Sequence, residues 1–232
     1  AMTLVDATTN SFTGTLPTEL GQLTGIVTFL LGGNSFNGTL PTELGGLTRL
    51  NTLSLRTNNL IGTLPTELGG LTSLTEVAVS DNTLTGTLPT ELGHLFNLLV
   101  FYAYGNKLTG TIPTELGLLT ALTELLLEEN ALTGTLPTEL GKLVQLQKLH
   151  INSNNLTGSL LPITPSELVN LNELTFYKND FTGSVDETLC TVTKQWDMLQ
   201  GDCLDTNGTI EIECDCCNRC CAADGEFCQV LN

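Results

Sequence analysis

A 24-residue segment repeats along most of this chain, and no other sequence feature constrains the fold as strongly. Its prolines mark the period and lie at Pro17, Pro41, Pro65, Pro89, Pro113 and Pro137, with the next at Pro162 after one additional residue. A fixed period of about 20–29 residues with leucines at constant offsets is typical of a solenoid in which every repeat forms one coil. Each coil then buries its apolar side only against its neighbours.

The segment 47–65 shows what one coil is expected to form. The alternation Leu53-Ser54-Leu55 predicts a short strand with leucines pointing inward and with Ser54 and Arg56 pointing outward. Parallel stacking of such strands predicts a concave sheet. Asn58 closes the strand, and we expect its amide to satisfy backbone groups of the next coil. A second extended segment and a tight helical turn on the convex side should complete the coil.

The repeat Leu-x-x-Leu-x-Leu-x-x-Asn-x-Leu-x-Gly-x-Leu-Pro resembles the plant-type leucine-rich repeat of receptor-kinase ectodomains and polygalacturonase inhibitors. The near-identical Thr-Gly-Thr-Leu-Pro-Thr-Glu-Leu-Gly units and the cysteine-dense C-terminal segment also resemble secreted or surface leucine-rich-repeat proteins of diatoms and other algae. The resemblance implies an α/β repeat solenoid with a parallel concave sheet, short second strands and 3-10 turns on the convex side. We expect about eight coils in 1–189 and a cysteine-rich C-terminal cap in 190–232.

All eight cysteines lie in the predicted cap. They are Cys190, Cys203, Cys214, Cys216, Cys217, Cys220, Cys221 and Cys228. An even number of cysteines in a short segment indicates structural disulfides and an oxidising, extracellular or cell-surface location. Zinc is disfavoured because adjacent cysteines make poor tetrahedral ligands, and the spacing does not choose a disulfide pairing. Sequons at Asn37, Asn155 and Asn207 fit a glycosylated secreted protein.

The formal charge of -17 argues against nucleic acids and anionic membranes as partners. No apolar run of about 18 residues is present, so we expect no membrane span. One glutamate recurs in each coil, which predicts a solvated acidic ridge with weak divalent-cation binding as the alternative. The two histidines, His94 and His150, are predicted on opposite faces and no nucleophile or phosphate motif occurs. We therefore expect neither catalysis nor a cofactor.

The outward positions of the concave strands vary between coils, so they are the candidates for ligand binding. The predicted ligand-binding residues are Arg56, Tyr102, Tyr104, Leu126, Glu128, His150 and Tyr177. All three tyrosines of the protein are in this set. Tyrosine is a favoured residue at binding surfaces, and it also stacks on sugar rings. This pattern predicts a protein or glycan ligand on the C-terminal half, although tyrosine is equally a good strand former.

A second regular surface is expected on the Leu-Thr-Gly-Thr-Leu segments, where two threonines of each coil should point outward as two parallel files. The candidate residues of this threonine face are Thr13, Thr15, Thr85, Thr87, Thr109, Thr111, Thr133 and Thr135. Flat Thr-x-Thr arrays resemble the ice-binding faces of antifreeze proteins. Asn37 and Ile61 interrupt the array. The prediction is therefore an extracellular binding module, with ice binding as the alternative and a cell-wall or matrix spacer as the third reading.

Overall fold

The computed structural model describes residues 2–160, 168–184, 197–204, 212–213, 219–222 and 228–230, and it describes side chains up to 201 except those of 183 and 184. Within these ranges the chain is the predicted solenoid. Each full coil runs from a concave strand through a turn to a second short strand and a 3-10 turn. The proposed disulfides fall outside the side chains that are described, so they and the cap remain predictions.

The concave sheet has eleven strands in the described part of the chain, all parallel to their neighbours except the last pair, which is antiparallel. Its strands are Leu4–Asp6, Thr28–Leu30, Thr52–Ser54, Glu76–Ala78, Val100–Tyr102, Glu124–Leu126, Lys148–His150, Glu173–Thr175, Met198–Leu204, Arg219–Ala222 and Cys228–Val230. Equivalent residues of successive coils are register partners, as Leu53 and Val77 illustrate. Outward residues therefore form continuous columns across the sheet.

The second strands form smaller parallel sheets on another side of each coil. They are Thr13–Thr15, Ser35–Thr39, Asn59–Gly62, Thr83–Leu84, Thr109–Gly110, Ala131–Gly134, Asn155–Gly158, Asp180–Phe181, Gly183–Ser184 and Ile212–Glu213. The convex side carries the 3-10 turns Thr18–Gln22, Thr42–Gly46, Thr66–Gly70, Thr90–His94, Thr114–Leu118 and Thr138–Lys142. Each turn follows a proline in extended conformation, such as Pro65 at φ -65° and ψ 136°. Proline suits this position because it has no N–H to pair.

Leucines contribute most of the interior, which is one continuous core from Leu16 to Leu199. Most of its side chains are fully buried, and burial of each leucine contributes roughly 1.5–3 kcal/mol. Phe29, Phe101 and Phe176 are the largest of the fully buried side chains. This ladder aligns the coils and makes the concave sheet a rigid surface.

The recurring asparagine holds each coil to the one before it. The Asn58 amide donates to Leu55 O of its own coil at 3.0 Å and to Leu31 O of the preceding coil at 3.1 Å. Its Oδ1 accepts from Phe36 N at 3.0 Å, also in the preceding coil. The expectation that this amide would serve the next coil is wrong. Thr57 adopts a left-handed φ of 56°, and this sharp turn directs Asn58 into the interior.

Candidate functional site

The concave sheet brings the predicted tyrosines together at its centre. Tyr102, Leu126 and His150 are consecutive register partners, and Tyr104 lies two residues beyond Tyr102 on the same face. The rings of Tyr102 and Tyr104 have centroids 6.3 Å apart and are tilted by 52°. Both are half-buried, so each ring is held by its neighbours while part of it remains open to a ligand.

A third outward column, two residues before the Tyr102 column, was missed by the sequence reasoning. It places Glu124, Lys148 and Glu173 on neighbouring strands. The Tyr102 hydroxyl donates a hydrogen bond to Glu124. Lys148 Nζ lies 3.7 Å from Glu124 Oε1 and 3.5 Å from Glu173 Oε1. Extending the period-2 alternation by one step towards the N-terminus of each strand would have revealed this column.

His150 joins the same polar network. Its Nδ1 lies 3.8 Å from Glu128 Oε1, and its Nε2 lies 3.5 Å from Glu173 Oε2. Burial raises the pKa of Tyr102, and the hydrogen bond to Glu124 and the charge of that carboxylate raise it further. Tyr102 therefore remains a protonated hydrogen-bond donor at neutral pH. The network is incompletely satisfied, because the buried His150 Nε2 and Glu128 Oε2 have no hydrogen-bond partner.

A recess opens on the N-terminal part of the concave face. A recess of about 590 Å³ extends across the first strands of the sheet and reaches Tyr104. We call this the concave recess, and it is lined by Thr8, Thr9, Thr28, Leu30, Gly32, Gly33, Thr52, Ser54, Arg56, Thr57, Glu76, Asp81 and Tyr104. Small residues such as Gly32 and Ser54 form its floor. Of the predicted binding residues, Arg56 and Tyr104 line this recess.

Arg56 and Tyr177 lie on opposite sides of the tyrosine pair along the solenoid. The Arg56 side chain is exposed, and its stem covers Gly32, where an added Cβ would lie 3.0 Å from Arg56 Cγ. Tyr177 is half-buried three coils beyond Tyr104, and it is not among the residues that line the recess. The predicted surface therefore consists of two regions: an open recess that reaches Tyr104, and the polar network that includes Tyr102.

The threonine face is exposed as predicted, but its two files are staggered. Second strands pair with an offset of 22 residues, two fewer than the repeat period. Asn37 is therefore the register partner of Thr15 and not of Thr13, its equivalent in the preceding coil. Thr111 is packed against the following coil, because a Cβ added to Gly134 would lie 2.8 Å from Thr111 Cγ2. Gly134 also has a left-handed φ of 77°. The second threonine of each coil thus packs its methyl group over the next glycine.

The described part of the chain contains neither a metal-binding cluster nor a membrane-spanning helix. No group of three or more His, Cys, Asp or Glu in the described part of the chain is placed to hold a metal ion. The glutamates of the convex ridge instead accept hydrogen bonds from the preceding threonine, as in the 3.1 Å contact between Thr114 and Glu115. Among the same described residues, no helix has the length and apolarity needed to cross a membrane.

Comparison with known proteins identifies the repeat. A family model described as Leucine Rich Repeat matches residues 49–71, 73–95, 121–143 and 145–166. A search of curated proteins finds no match. The leucine-rich-repeat ectodomain of the Arabidopsis thaliana receptor kinase GASSHO1/SCHENGEN3, solved with CASPARIAN STRIP INTEGRITY FACTOR 2, superposes with a TM-score of 0.76. It is 33% identical over 86% of this chain and 23% of its own length.

Two further structures extend the comparison. The Arabidopsis receptor kinase HAESA, in complex with the peptide hormone IDA and the co-receptor SERK1, has a TM-score of 0.79 and 25% identity over 98% of this chain and 39% of its own. A plant ice-binding protein has a TM-score of 0.69 and 22% identity, covering 90% of this chain and 80% of its own. This chain thus spans well under half of either receptor chain. It is a leucine-rich-repeat solenoid whose structural neighbours include plant receptor ectodomains.

Proposed function

We propose that this protein is an extracellular, non-enzymatic binding module that holds a protein or glycan ligand in the concave recess beside Tyr102 and Tyr104. The observation that carries the proposal is the recess itself, an opening of about 590 Å³ that reaches Tyr104, whose ring lies beside that of Tyr102. Two structural neighbours, which are leucine-rich-repeat ectodomains solved with bound partners, support a binding role.

The physical basis is preorganisation. Tyr104 is fixed in part by its contact with Tyr102, so little side-chain freedom is lost when a ligand covers it. Small side chains on the recess floor let a ligand approach the sheet closely. An extended peptide of a few residues has the width and length to lie across the stacked strands, and we take a peptide as the ligand to test first.

The test is selection of binders from a random dodecapeptide library displayed on phage. We expect the Tyr102→Ala/Tyr104→Ala variant to bind the selected peptides at least tenfold more weakly, because aromatic anchors typically contribute about 1–2 kcal/mol or more each. The matched control, Thr109→Ala/Thr133→Ala on the threonine face, should bind as the unmodified protein does. Equal affinity for all three proteins, measured by fluorescence anisotropy, would contradict a concave site.

Ice binding is the second candidate, and the exposed threonines carry it. Thr85, Thr87, Thr109, Thr111, Thr133 and Thr135 are all exposed on successive coils of one solenoid face. Regular hydroxyl and methyl groups on a rigid surface are what an ordered water lattice would require. The likeness to a plant ice-binding protein concerns the fold, so this candidate depends on the threonine face alone.

The experiment is ice recrystallisation inhibition by the protein and by a Thr85→Tyr/Thr109→Tyr/Thr133→Tyr variant. These first-file positions are preferred because the second file packs over glycines, as Thr111 does over Gly134. If the threonine face binds ice, we expect the unmodified protein to inhibit crystal growth and the variant to lose most of that activity. Absence of inhibition by the unmodified protein would remove ice binding as a function.

A further inference from the structure

Carboxylates surround the tyrosine pair on both sides. Val100, two residues before Tyr102, has Glu76 and Glu124 as its register partners on the adjacent strands. Asp81 and Glu128 extend the acidic surface beside Tyr104. The four carboxylates are therefore Glu76, Asp81, Glu124 and Glu128. A ligand that covers the two rings must come close to this negative charge.

Several contacts show that these carboxylates are close to the rings. The Tyr102 hydroxyl donates to Glu124, and the charges of both Glu124 and Glu76 help to raise the pKa of that phenol. Glu76 and Asp81 line the same recess as Tyr104. A Cβ added to Gly105 would lie 2.8 Å from Asp81 Oδ1, so the Asp81 carboxylate lies beside the backbone that follows Tyr104.

The described cations form no ion pair with the carboxylates on the recess side of this surface. Lys148 is shared between Glu124 and Glu173. Arg56 lines the same recess one coil before Glu76 and Asp81, and its stem covers Gly32 of the coil before its own. No salt bridge to Glu76 or Asp81 is found among the side chains that the structure describes.

We propose that the recess recognises a lysine or arginine side chain of an extended peptide, with the cation packed on Tyr102 and Tyr104 and neutralised by Glu76 and Asp81. This inference rests on the proposed concave binding function and names its ligand class. A cation over an aromatic face is attracted by the ring, and the attraction grows as water is excluded. A carboxylate at the same place would be repelled by all four acidic groups.

The test uses a dodecapeptide from the library selection and a copy in which each lysine and arginine is replaced by glutamine. Binding is measured in 150 mM salt, where charges more than about 8 Å apart are largely screened. The recess variant is Glu76→Gln/Asp81→Asn. The matched control, Glu43→Gln/Glu67→Gln on the convex ridge, removes the same net charge. A Tyr104→Leu variant removes an aromatic face while keeping apolar bulk, and circular dichroism verifies that each variant is folded.

We expect glutamine replacement in the peptide to weaken binding to the unmodified protein about tenfold, the range of a partly buried cation–aromatic contact with neutralising charges. The recess variant should bind the original peptide about tenfold more weakly and should no longer distinguish the two peptides. The convex control should behave as the unmodified protein does. Binding that depends on Tyr104 but not on the basic residues would overturn the inference and leave the concave site standing. Binding indifferent to every concave substitution would overturn both.

Discussion

Replacing Gly69 with alanine is expected to destabilise the solenoid by about 3 kcal/mol or more, whereas the same change at the adjacent Gly70 should be neutral or slightly stabilising. A Cβ at Gly69 would lie 2.3 Å from Glu91 O and 2.7 Å from Glu91 C, both backbone atoms of the next coil. No rotamer can relieve such an overlap, so successive 3-10 turns would have to separate. At Gly70 an added Cβ meets nothing within 4 Å.

The Gly69→Ala and Gly70→Ala variants can be compared directly because both glycines end the same turn, Thr66–Gly70. Chemical unfolding followed by circular dichroism would give the two free energies of unfolding relative to the unmodified protein. Gly70→Ala reports the chain-entropy effect of alanine alone, about 0.4–1 kcal/mol in favour of the folded state. If Gly69→Ala were as stable as Gly70→Ala, close backbone contact between turns could not be what sets the spacing of the coils.

Replacing Asn82 with alanine should have the second large effect, again about 3 kcal/mol. The Asn82 amide donates to Leu55 O and Val79 O, both at 3.1 Å, and its Oδ1 accepts from Leu60 N at 3.0 Å. Leu60 is fully buried, so water cannot replace the lost acceptor. Each buried backbone group left without a partner costs about 1–3 kcal/mol.

Asn97 provides the control for this loss. It is exposed, and its amide donates to Thr72 O of the preceding coil at 2.9 Å. Water can donate a hydrogen bond to the exposed Thr72 carbonyl in place of the Asn97 amide. Asn97→Ala should therefore lower the free energy of unfolding by less than about 1 kcal/mol. The same unfolding measurement tests both variants. If they were destabilised equally, the hydrogen bonds of the interior asparagine could not be what joins the coils.

The repeat predicts the coils well because apolar burial and backbone pairing depend on residues that recur every 24 positions. Leu53 and Leu55 point inward in any strand with this alternation, and Pro65, whose ring fixes φ near -65° and which has no N–H to pair, suits the extended entry to the turn. The 3-10 turns and the parallel concave sheet were predicted for these reasons and are confirmed. The direction of the asparagine bonds was not predictable, because the spacing is the same towards either neighbouring coil.

The candidate binding surface was less predictable because it depends on side chains that the repeat leaves free. The tyrosine pair could be located by counting outward positions, and it is confirmed as adjacent on one face. The use of Glu128 and His150 within a polar network depends on three-dimensional distances between strands, which the pattern does not specify. The recess likewise arises from small residues such as Gly32 and Ser54 at positions where other coils carry larger ones.

The threonine face illustrates the same limit. Identical repeats suggest that equivalent threonines align directly, yet the second strands slide by two residues so that Thr15 lies beside Asn37. The close packing of Thr15 Cγ2 over Gly38, 2.7 Å from an added Cβ, favours this stagger. The repeat period alone does not reveal this stagger, because a register shift of two residues keeps the same side chains exposed.

The most direct test of the concave site is photo-crosslinking of a library-selected dodecapeptide to two proteins, each with p-benzoylphenylalanine at one position. In one the photoreactive residue replaces Leu30, which lines the recess, and in the other it replaces the exposed Thr133 of the threonine face. A concave site predicts strong crosslinking from position 30, lost on competition with unlabelled peptide, and only background from position 133. Competable crosslinking from position 133 alone would contradict it.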